Sequence, residues 1–160
     1  MLSEPTRQLI VAESIRYPQR RSALLPALQL AQDEAGWLSR ETMEEVASLL
    51  ETDPNALYDL ATFYSLLHTE PVGRYVVRVC NGLSCYIKGA DLLLEHICRR
   101  AGVEPYGTSS DGLWTVEPFE CLAACDGAPA LMVNGDLYKN MNADQADALI
   151  EDLAARPVAP

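Results

Sequence analysis

The spacing of apolar residues predicts helices over the first part of the chain. One stripe of apolar side chains recurs at intervals of three and four residues: Leu24, Leu25, Leu28 and Ala31. Gly36 follows this stripe as a helix stop signal. An earlier helix is predicted over residues 4–17, because Pro18 cannot continue it.

Capping residues predict two further helices. Ser39 is a typical N-cap, and the helix after it has a face formed by Met43, Val46, Ala47 and Leu50. Asp53 and Pro54 are an N-cap followed by proline at the first helical position. The helix that they start carries Leu57, Leu60, Ala61 and Tyr64. The pattern is therefore helical up to about residue 70.

After Gly73 the pattern changes from helical spacing to alternation. The segment YVVRV is rich in β-branched residues and predicts a strand that ends at Cys80. A helix is predicted over residues 87–100, followed by Gly102. A second strand is predicted over 113–119, after the turn signal Asp111-Gly112.

A hairpin and a final helix complete the predicted order of elements. Asn134-Gly135 lies between two short apolar runs, which is a strong hairpin signal. The last helix is capped by Asn142 or Asp144 and has an apolar face of Ala146, Leu149, Ile150 and Leu153. Residues 73–160 thus have the order strand, helix, strand, strand, strand, helix. The fold class is α/β.

Charge and composition narrow the range of functions. The 160 residues include 12 lysines and arginines against 23 acidic residues, a formal net charge of −11. This balance argues against nucleic acid, because binding requires a basic surface, and against anionic lipid. No apolar segment approaches the ~20 residues that span a bilayer, and the N-terminus lacks a signal-peptide core. We therefore expect a cytoplasmic protein with no direct membrane insertion.

The five cysteines all lie in the second half. In a reducing compartment they favour metal or redox chemistry over disulfides. Cys98 falls on the apolar face of the predicted helix, where we expect it to pack as a small hydrophobic residue. The other four form a C-x4-C and a C-x3-C pair with 35 residues between them: Cys80, Cys85, Cys121 and Cys125. Each pair begins at a strand end and is expected to continue into a loop.

Two kinds of centre remain open from this spacing. Four-thiolate zinc is common and is not excluded, although the intervening residues lack the usual zinc-knuckle appearance. A [2Fe–2S] cluster needs four thiolates on two adjacent irons, and the spacing favours it. Gly82 and Gly127 would allow the backbone to approach the sulfurs closely. A Rieske centre is excluded, because neither His68 nor His96 lies beside a cysteine pair, and no C-x-x-C redox motif is present.

The residues around the cysteines resemble a known family. The segments VRVCNGLSCYIKGADLLLEHI and VEPFECLAACDGAPALMVNGDLYKNM are similar to thioredoxin-like [2Fe–2S] ferredoxins. Within that family they resemble the NuoE-type small iron–sulfur subunits of NADH:quinone oxidoreductase (complex I). The likeness extends upstream through LLPALQLAQDEAGWLSRETMEEVASLL and NALYDLATFYSLL, and so covers about residues 20–153.

The resemblance implies a fold, a cofactor and partners. The fold would be an N-terminal helical bundle, 1–72, followed by a thioredoxin-like α/β domain, 73–160, with a small mixed sheet. One [2Fe–2S] cluster would be ligated by Cys80, Cys85, Cys121 and Cys125. The implied partners are a NuoF-type subunit carrying FMN and the NADH site, and the large iron–sulfur subunit of the same complex. The chain would be cytoplasmic, or peripheral on the cytoplasmic face of the inner membrane.

The implied activity is electron transfer. The cluster would accept or store one electron during NADH oxidation, and the chain alone would have no catalytic residues and no complete active site. A cluster with four cysteine ligands in so acidic a chain is expected to have a low potential. The alternatives are the small [2Fe–2S] subunit of a soluble NAD-dependent formate dehydrogenase or hydrogenase, and a non-redox zinc module used in assembly.

Three further expectations concern residues near the cysteine pairs. Ala123 stands where the family commonly has glycine, and its methyl is expected to crowd an N–H···S contact. Pro129 occupies a position where thioredoxin-like folds often have a cis-proline; a trans-proline that opens an edge strand is the alternative. Three apolar side chains are expected to keep water away from the cluster: Leu83, Leu122 and Met132.

Overall fold

A computed structural model describes residues 1–157, and its first part is helical. The chain divides into two compact units, Met1–Pro71 and Val72–Pro160, of which residues 158–160 lie outside the described part. The assignment of two independent domains, 1–72 and 73–160, stays a prediction.

The first unit contains four α-helices that begin and end near the predicted residues. They are α1 (Glu4–Ile15), α2 (Leu24–Ala35), α3 (Arg40–Leu49) and α4 (Pro54–Phe63), with a 3-10 turn at Arg20–Ala23. Helix α1 ends two residues before the predicted bound of 17. Their buried apolar faces form one core, whose fully buried large side chains are Ile10, Leu24, Leu28, Leu38, Val46, Leu50 and Leu57.

The caps of these helices explain their bounds. The Ser39 side chain accepts a hydrogen bond from the N–H of Thr42 at 3.1 Å and caps α3. The Asp53 carboxylate accepts one from the N–H of Asn55 at 3.0 Å and caps α4. Gly36 ends α2 at a φ of 81°, a value that glycine adopts without steric cost. The predicted caps at 39 and 53 are therefore confirmed.

The second unit is built on a four-stranded mixed sheet. Its strands are β1 (Tyr75–Cys80), β2 (Trp114–Phe119), β3 (Leu131–Val133) and β4 (Asp136–Tyr138), in the order β2-β1-β3-β4. Strand β1 pairs in parallel with β2 and antiparallel with β3, and β3 pairs antiparallel with β4. This is the small mixed sheet that the resemblance implied.

Between residues 72 and 157, three α-helices accompany the sheet: α5 (Leu83–Ile87), α6 (Ala90–Ala101) and α7 (Ala143–Ala155). The single helix predicted over 87–100 is wrong at its start, because Gly89 adopts a φ of 86° and separates α5 from α6. Helix α7 begins at a capping box in which Asn142 and Gln145 each bond the other's backbone N–H. Asn142, rather than Asp144, is therefore the cap.

The core of the second unit lies between the sheet and these helices. Its fully buried large side chains are Val79, Cys80, Ile97, Val116 and Leu131. Helix α6 contacts both β1 and β2, and α7 packs against α6. Within residues 1–157, no helix combines the length and the hydropathy needed to cross a membrane.

Candidate metal centre

The four candidate cysteines gather at one edge of the sheet. Strands β1 and β2 are parallel, so their carboxyl ends meet at the same edge, with Cys80 opposite Phe119. Cys80 is the last residue of β1, and Cys121 follows the end of β2 by two residues. The first cysteine of each pair therefore lies at or just after a strand end, as expected, and the two strand ends are neighbours.

The second cysteine of each pair is not in a loop. Cys85 lies within helix α5, and Cys125 opens a 3-10 turn, Cys125–Gly127. The loop prediction for these two positions is therefore wrong. In each pair the second cysteine follows the first by only four or five residues. A helical turn keeps the chain compact over this distance, so the second cysteine stays near the strand end.

The sulfurs form one interacting group. The Cys80 thiol interacts with the thiols of Cys85 and Cys121, and the Cys85 thiol also interacts electrostatically with Cys125. All four side chains are free thiols, with Cys80 and Cys85 buried and Cys121 and Cys125 exposed. One side of the group thus faces the protein interior and the other faces the surface.

Backbone N–H groups point at these sulfurs. The N–H of Ala123 donates to the Cys121 Sγ at 3.3 Å. The N–H groups of Leu122 and Gly82 donate to Cys80, and the N–H of Ala130 donates to Cys85. Such donors stabilise negatively charged sulfur, which is the form that binds a metal. The arrangement therefore fits a site for thiolate ligands.

The pKa shifts of the two buried thiols differ in direction. Burial tends to raise the pKa of Cys80, but the N–H groups of Leu122 and Gly82 and the adjacent thiols outweigh it, so this pKa is lowered. Burial raises the pKa of Cys85, and the hydrogen bond from Ala130 only partly offsets it. Cys80 is therefore the thiol that loses its proton more readily.

The close approach expected at Gly82 is present. A Cβ atom built on Gly82 would lie 3.5 Å from the Cys80 Sγ and 3.6 Å from the Cys121 Cβ. Both are ordinary van der Waals distances, so the Gly82 backbone lies against the thiols and still leaves room for a methyl group. At Gly127 the nearest atoms are those of the Lys139 side chain, which a Cβ there would meet at 2.6 Å, and not a sulfur as expected.

No group of three or more His, Cys, Asp or Glu side chains within residues 1–157 is arranged to hold a single metal ion. A two-iron cluster makes a different demand, because each iron binds only two of the four thiolates. The pairwise contacts among the cysteines therefore fit two adjacent irons.

Cys98 lies apart from this group, as expected. It is on α6, belongs to the core of the second unit and is only 6% exposed. Burial, with a smaller contribution from Glu104, raises the pKa of its thiol. The structure thus places Cys98 as a neutral packing residue.

The expected apolar shield is only partly present. Leu122 and Met132 are half-buried, but Leu83 is 76% exposed on the outer side of α5. The prediction for Leu83 is wrong. Tyr86 and Ile87, which share its helix face at intervals of three and four residues, are also exposed. We call Leu83, Tyr86 and Ile87 the α5 apolar face. The apolar residues of LSCYI have the spacing of a helix face, but five residues are too few to predict a helix.

The Ala128–Pro129 peptide bond is cis. Of the two alternatives considered for Pro129, the structure therefore has the one that is frequent in thioredoxin-like folds.

Ala123 retains its hydrogen bond to sulfur but adopts a φ of 56°. The expected crowding of that bond is wrong, and the methyl group instead meets the steric cost of the left-handed region, about 1–2 kcal/mol. We predict that Ala123→Gly raises the free energy of unfolding by about 0.5 kcal/mol, because relief of this strain exceeds the added entropy of the unfolded chain. Urea unfolding at equal cluster content measures it.

Ala124→Gly is the matched control. Ala124 is buried and has a φ of −113°, so glycine there relieves no strain and adds unfolded-state entropy. We expect this variant to lower the free energy of unfolding. Equal effects of the two substitutions would contradict the assignment of strain to Ala123.

Comparisons with known proteins agree with this geometry. The family model for thioredoxin-like [2Fe-2S] ferredoxins matches residues 10–154. The chain is 43% identical over 149 residues to an E-type subunit of NADH-quinone oxidoreductase from Rhizobium meliloti (strain 1021), covering 93% of this chain and 89% of that protein. It is 34% identical over 151 residues to the E-type subunit of NADH-quinone oxidoreductase from Pseudomonas aeruginosa PAO1, covering 94% and 91%.

A solved structure is also similar. The crystal structure of an NAD+-reducing [NiFe]-hydrogenase in the air-oxidized state superposes with a TM-score of 0.74 at 27% sequence identity. The match covers 82% of this chain and 23% of the hydrogenase chain. The family model spans both units of the chain and includes all four candidate cysteines. The chain belongs to the thioredoxin-like [2Fe–2S] ferredoxin family.

Proposed function

We propose that this chain is the electron-transfer subunit of an NADH:quinone oxidoreductase and holds one [2Fe–2S] cluster on Cys80, Cys85, Cys121 and Cys125. The observation that carries the proposal is the group of four free thiols at neighbouring strand ends, with backbone N–H groups directed at their sulfurs. The family model and the E-type relatives support the same cofactor and the same complex.

The chain's own residues bind the cofactor and control its surroundings. When bound, a [2Fe–2S] cluster takes up and releases one electron. The four thiolates would hold it, the N–H groups would stabilise its negative charge, and buried Cys80 and Cys85 would keep one side away from water. No bond between protein atoms forms or breaks, so no general acid or base is required.

The absorption spectrum and metal content of the purified full-length chain test this function. We expect a reddish-brown protein with two irons and two sulfides per chain, and a rhombic EPR signal after reduction. A colourless chain loaded with zinc would contradict the proposal and support the zinc module instead.

We also propose that the partner is the subunit that carries FMN and the NADH site, with the large iron–sulfur subunit in the same complex. The electron donor must come close to the cluster, and the α5 apolar face lies beside Cys85. Exposed apolar side chains grouped on one helix face are typical of a protein interface. The chain would then act on the cytoplasmic side of the inner membrane, as part of that complex.

Ile87→Glu tests this surface. Ile87 is 72% exposed, so the substitution should leave the folded chain and its visible spectrum unchanged. Burying a carboxylate in an interface is costly, and we expect at least about a tenfold loss of binding to the FMN-carrying subunit. Co-purification with a tagged partner measures it.

Leu137→Glu is the control for Ile87→Glu. Leu137 is also exposed but lies on β4, at the end of the sheet order away from β2. We expect it to bind the partner as the wild-type chain does. Retention of wild-type binding by Ile87→Glu would exclude the α5 apolar face as the interface.

A second assembly is favoured by the hydrogenase structure, which matches over most of this chain. The chain would then serve as the small [2Fe–2S] subunit of a soluble NAD-dependent hydrogenase or formate dehydrogenase. Purification of the native complex decides, because companion subunits with a membrane arm identify a quinone oxidoreductase. Subunits of a soluble hydrogenase or formate dehydrogenase identify the alternative.

A further inference from the structure

A buried ion pair lies on the sheet next to the candidate cysteines. The Arg78 Nε is 3.1 Å from the Glu117 Oε2, and the two side chains are only 6% and 13% exposed. Arg78 is on β1 and Glu117 is its register partner on β2. Burial of two charges costs several kcal/mol, and apolar residues of similar size are often at least as stabilising. A contribution to folding stability therefore does not explain why a charged pair is present at these two positions.

The guanidinium extends toward the cysteine edge. Side chains two residues apart on a strand share a face, so Arg78 lies on the same face as Cys80. Phe119 is opposite Cys80, and the Arg78 guanidinium carbon lies 5.6 Å from the centre of the Phe119 ring. Consecutive strand residues are separated by ~3.3 Å, so the Cα atoms of Arg78 and Cys80 are ~7 Å apart. The guanidinium beside the Phe119 ring therefore lies toward the Cys80 end of the strand pair.

We propose that Arg78 and Glu117 are positioning residues that set the reduction potential of the cluster, Arg78 raising it and Glu117 lowering it. This inference rests on the proposed function. On reduction one electron enters the cluster and no proton or bond is exchanged, so the charge of the four-cysteine centre changes from −2 to −3. A fixed cation stabilises the added negative charge, and a fixed anion opposes it.

Sequence features alone do not identify this pair. The sequence shows only that an arginine interrupts the otherwise apolar run YVVRVC, which indicates that it needs a partner. Its partner on β2 is 39 positions further along the chain, so the pair is defined only by the parallel register.

Redox titration of the full-length, cluster-loaded chain tests the inference. Potentials are fixed with dithionite and mediator dyes under anaerobic conditions, and the reduced cluster is measured by EPR. We expect Arg78→Gln to make the reduced form about tenfold less populated at a given potential, a midpoint lower by about 59 mV. Glu117→Gln should shift the midpoint upward, and Arg78→Lys, which keeps the charge, should stay near wild type.

The outcomes separate this inference from the function on which it rests. Unchanged midpoints in both glutamine variants, or shifts in the same direction, would overturn it. If Arg78→Gln fails to load a cluster, Glu117→Gln decides: a raised midpoint supports the inference and an unchanged one overturns it. Loss of the cluster from both variants would also overturn it, because the pair would then be structural. A wild-type chain without a [2Fe–2S] cluster would instead refute the proposed function.

Discussion

Replacement of Cys80 by serine is expected to remove the [2Fe–2S] cluster almost completely. Cys80 ends the central strand β1, and its thiol interacts with those of both Cys85 and Cys121. It also receives the N–H groups of Gly82 and Leu122, and its pKa is lowered. A serine hydroxyl stays protonated at neutral pH and is a poor substitute for a thiolate ligand. We expect at least about a tenfold loss of iron and sulfide per chain and of the visible absorption.

Cys98→Ser is the matched control, since it makes the same chemical change outside the candidate centre. Cys98 is buried in the core on α6, so the new hydroxyl should cost about 1–3 kcal/mol of stability but leave cluster content unchanged. Apoprotein unfolding and iron content, measured on both variants, separate the two effects. Full cluster content in Cys80→Ser, or equal cluster loss in Cys98→Ser, would contradict the ligand assignment.

Local signals are sufficient to predict most elements of this fold. The strand Tyr75–Cys80 is predicted at the bounds that the structure has, because β-branched alternation and the preceding glycine define it. Ser39 and Asp53 cap helices as expected, and Asn142 is one of the two caps predicted for the last helix. Each cap is a contact between residues close in sequence. Such interactions are encoded within a few residues, and so the sequence pattern contains them.

The short helix α5 is not predictable in the same way. Five residues are too few for a helix to form by its own propensity, and its formation depends on packing beside the strand ends. Gly89, at positive φ, separates α5 from α6, whereas the apolar spacing suggests one continuous helix. The loop prediction for Cys85 is wrong for this reason.

The four cysteines of the candidate site can be predicted from the sequence, but the groups that surround their sulfurs cannot. Cysteine spacing and the parallel pairing of β1 and β2 explain why the four thiols are adjacent. The N–H donors to Cys80 and Cys121 depend on how the loop after β2 folds, including the positive φ of Ala123. The Arg78–Glu117 pair depends on strand register. The contact of Leu122 with Cys80 and the ion pair join residues far apart in the sequence, and residue patterns do not encode such pairings.

Replacement of Gly73 by alanine is expected to destabilise the second unit severely. A Cβ at Gly73 would lie 2.5 Å from the Trp114 carbonyl carbon and 2.7 Å from its nitrogen, and both atoms belong to the backbone of β2. The Gly73 N–H donates to the Thr115 hydroxyl at 2.6 Å, and the next two N–H groups continue the pairing to Gly112 and Leu113. Neither strand can move without breaking these bonds. We expect a loss of about 3 kcal/mol or more.

Gly112→Ala in the same turn region separates this clash from ordinary glycine replacement. Gly112 has a φ of 69°, and a Cβ there would meet no atom within 4 Å, so alanine should cost only about 1–2 kcal/mol. Trp37→Phe leaves Trp114 as the single tryptophan of the chain, so its fluorescence reports unfolding of the second unit. Urea titrations of both alanine variants in that background, at equal cluster content, compare the costs. If Gly73→Ala lowers the free energy of unfolding no more than Gly112→Ala does, the close packing of residue 73 against β2 is contradicted. The steric reason for a glycine just before the strand that ends in Cys80 would then be lost as well.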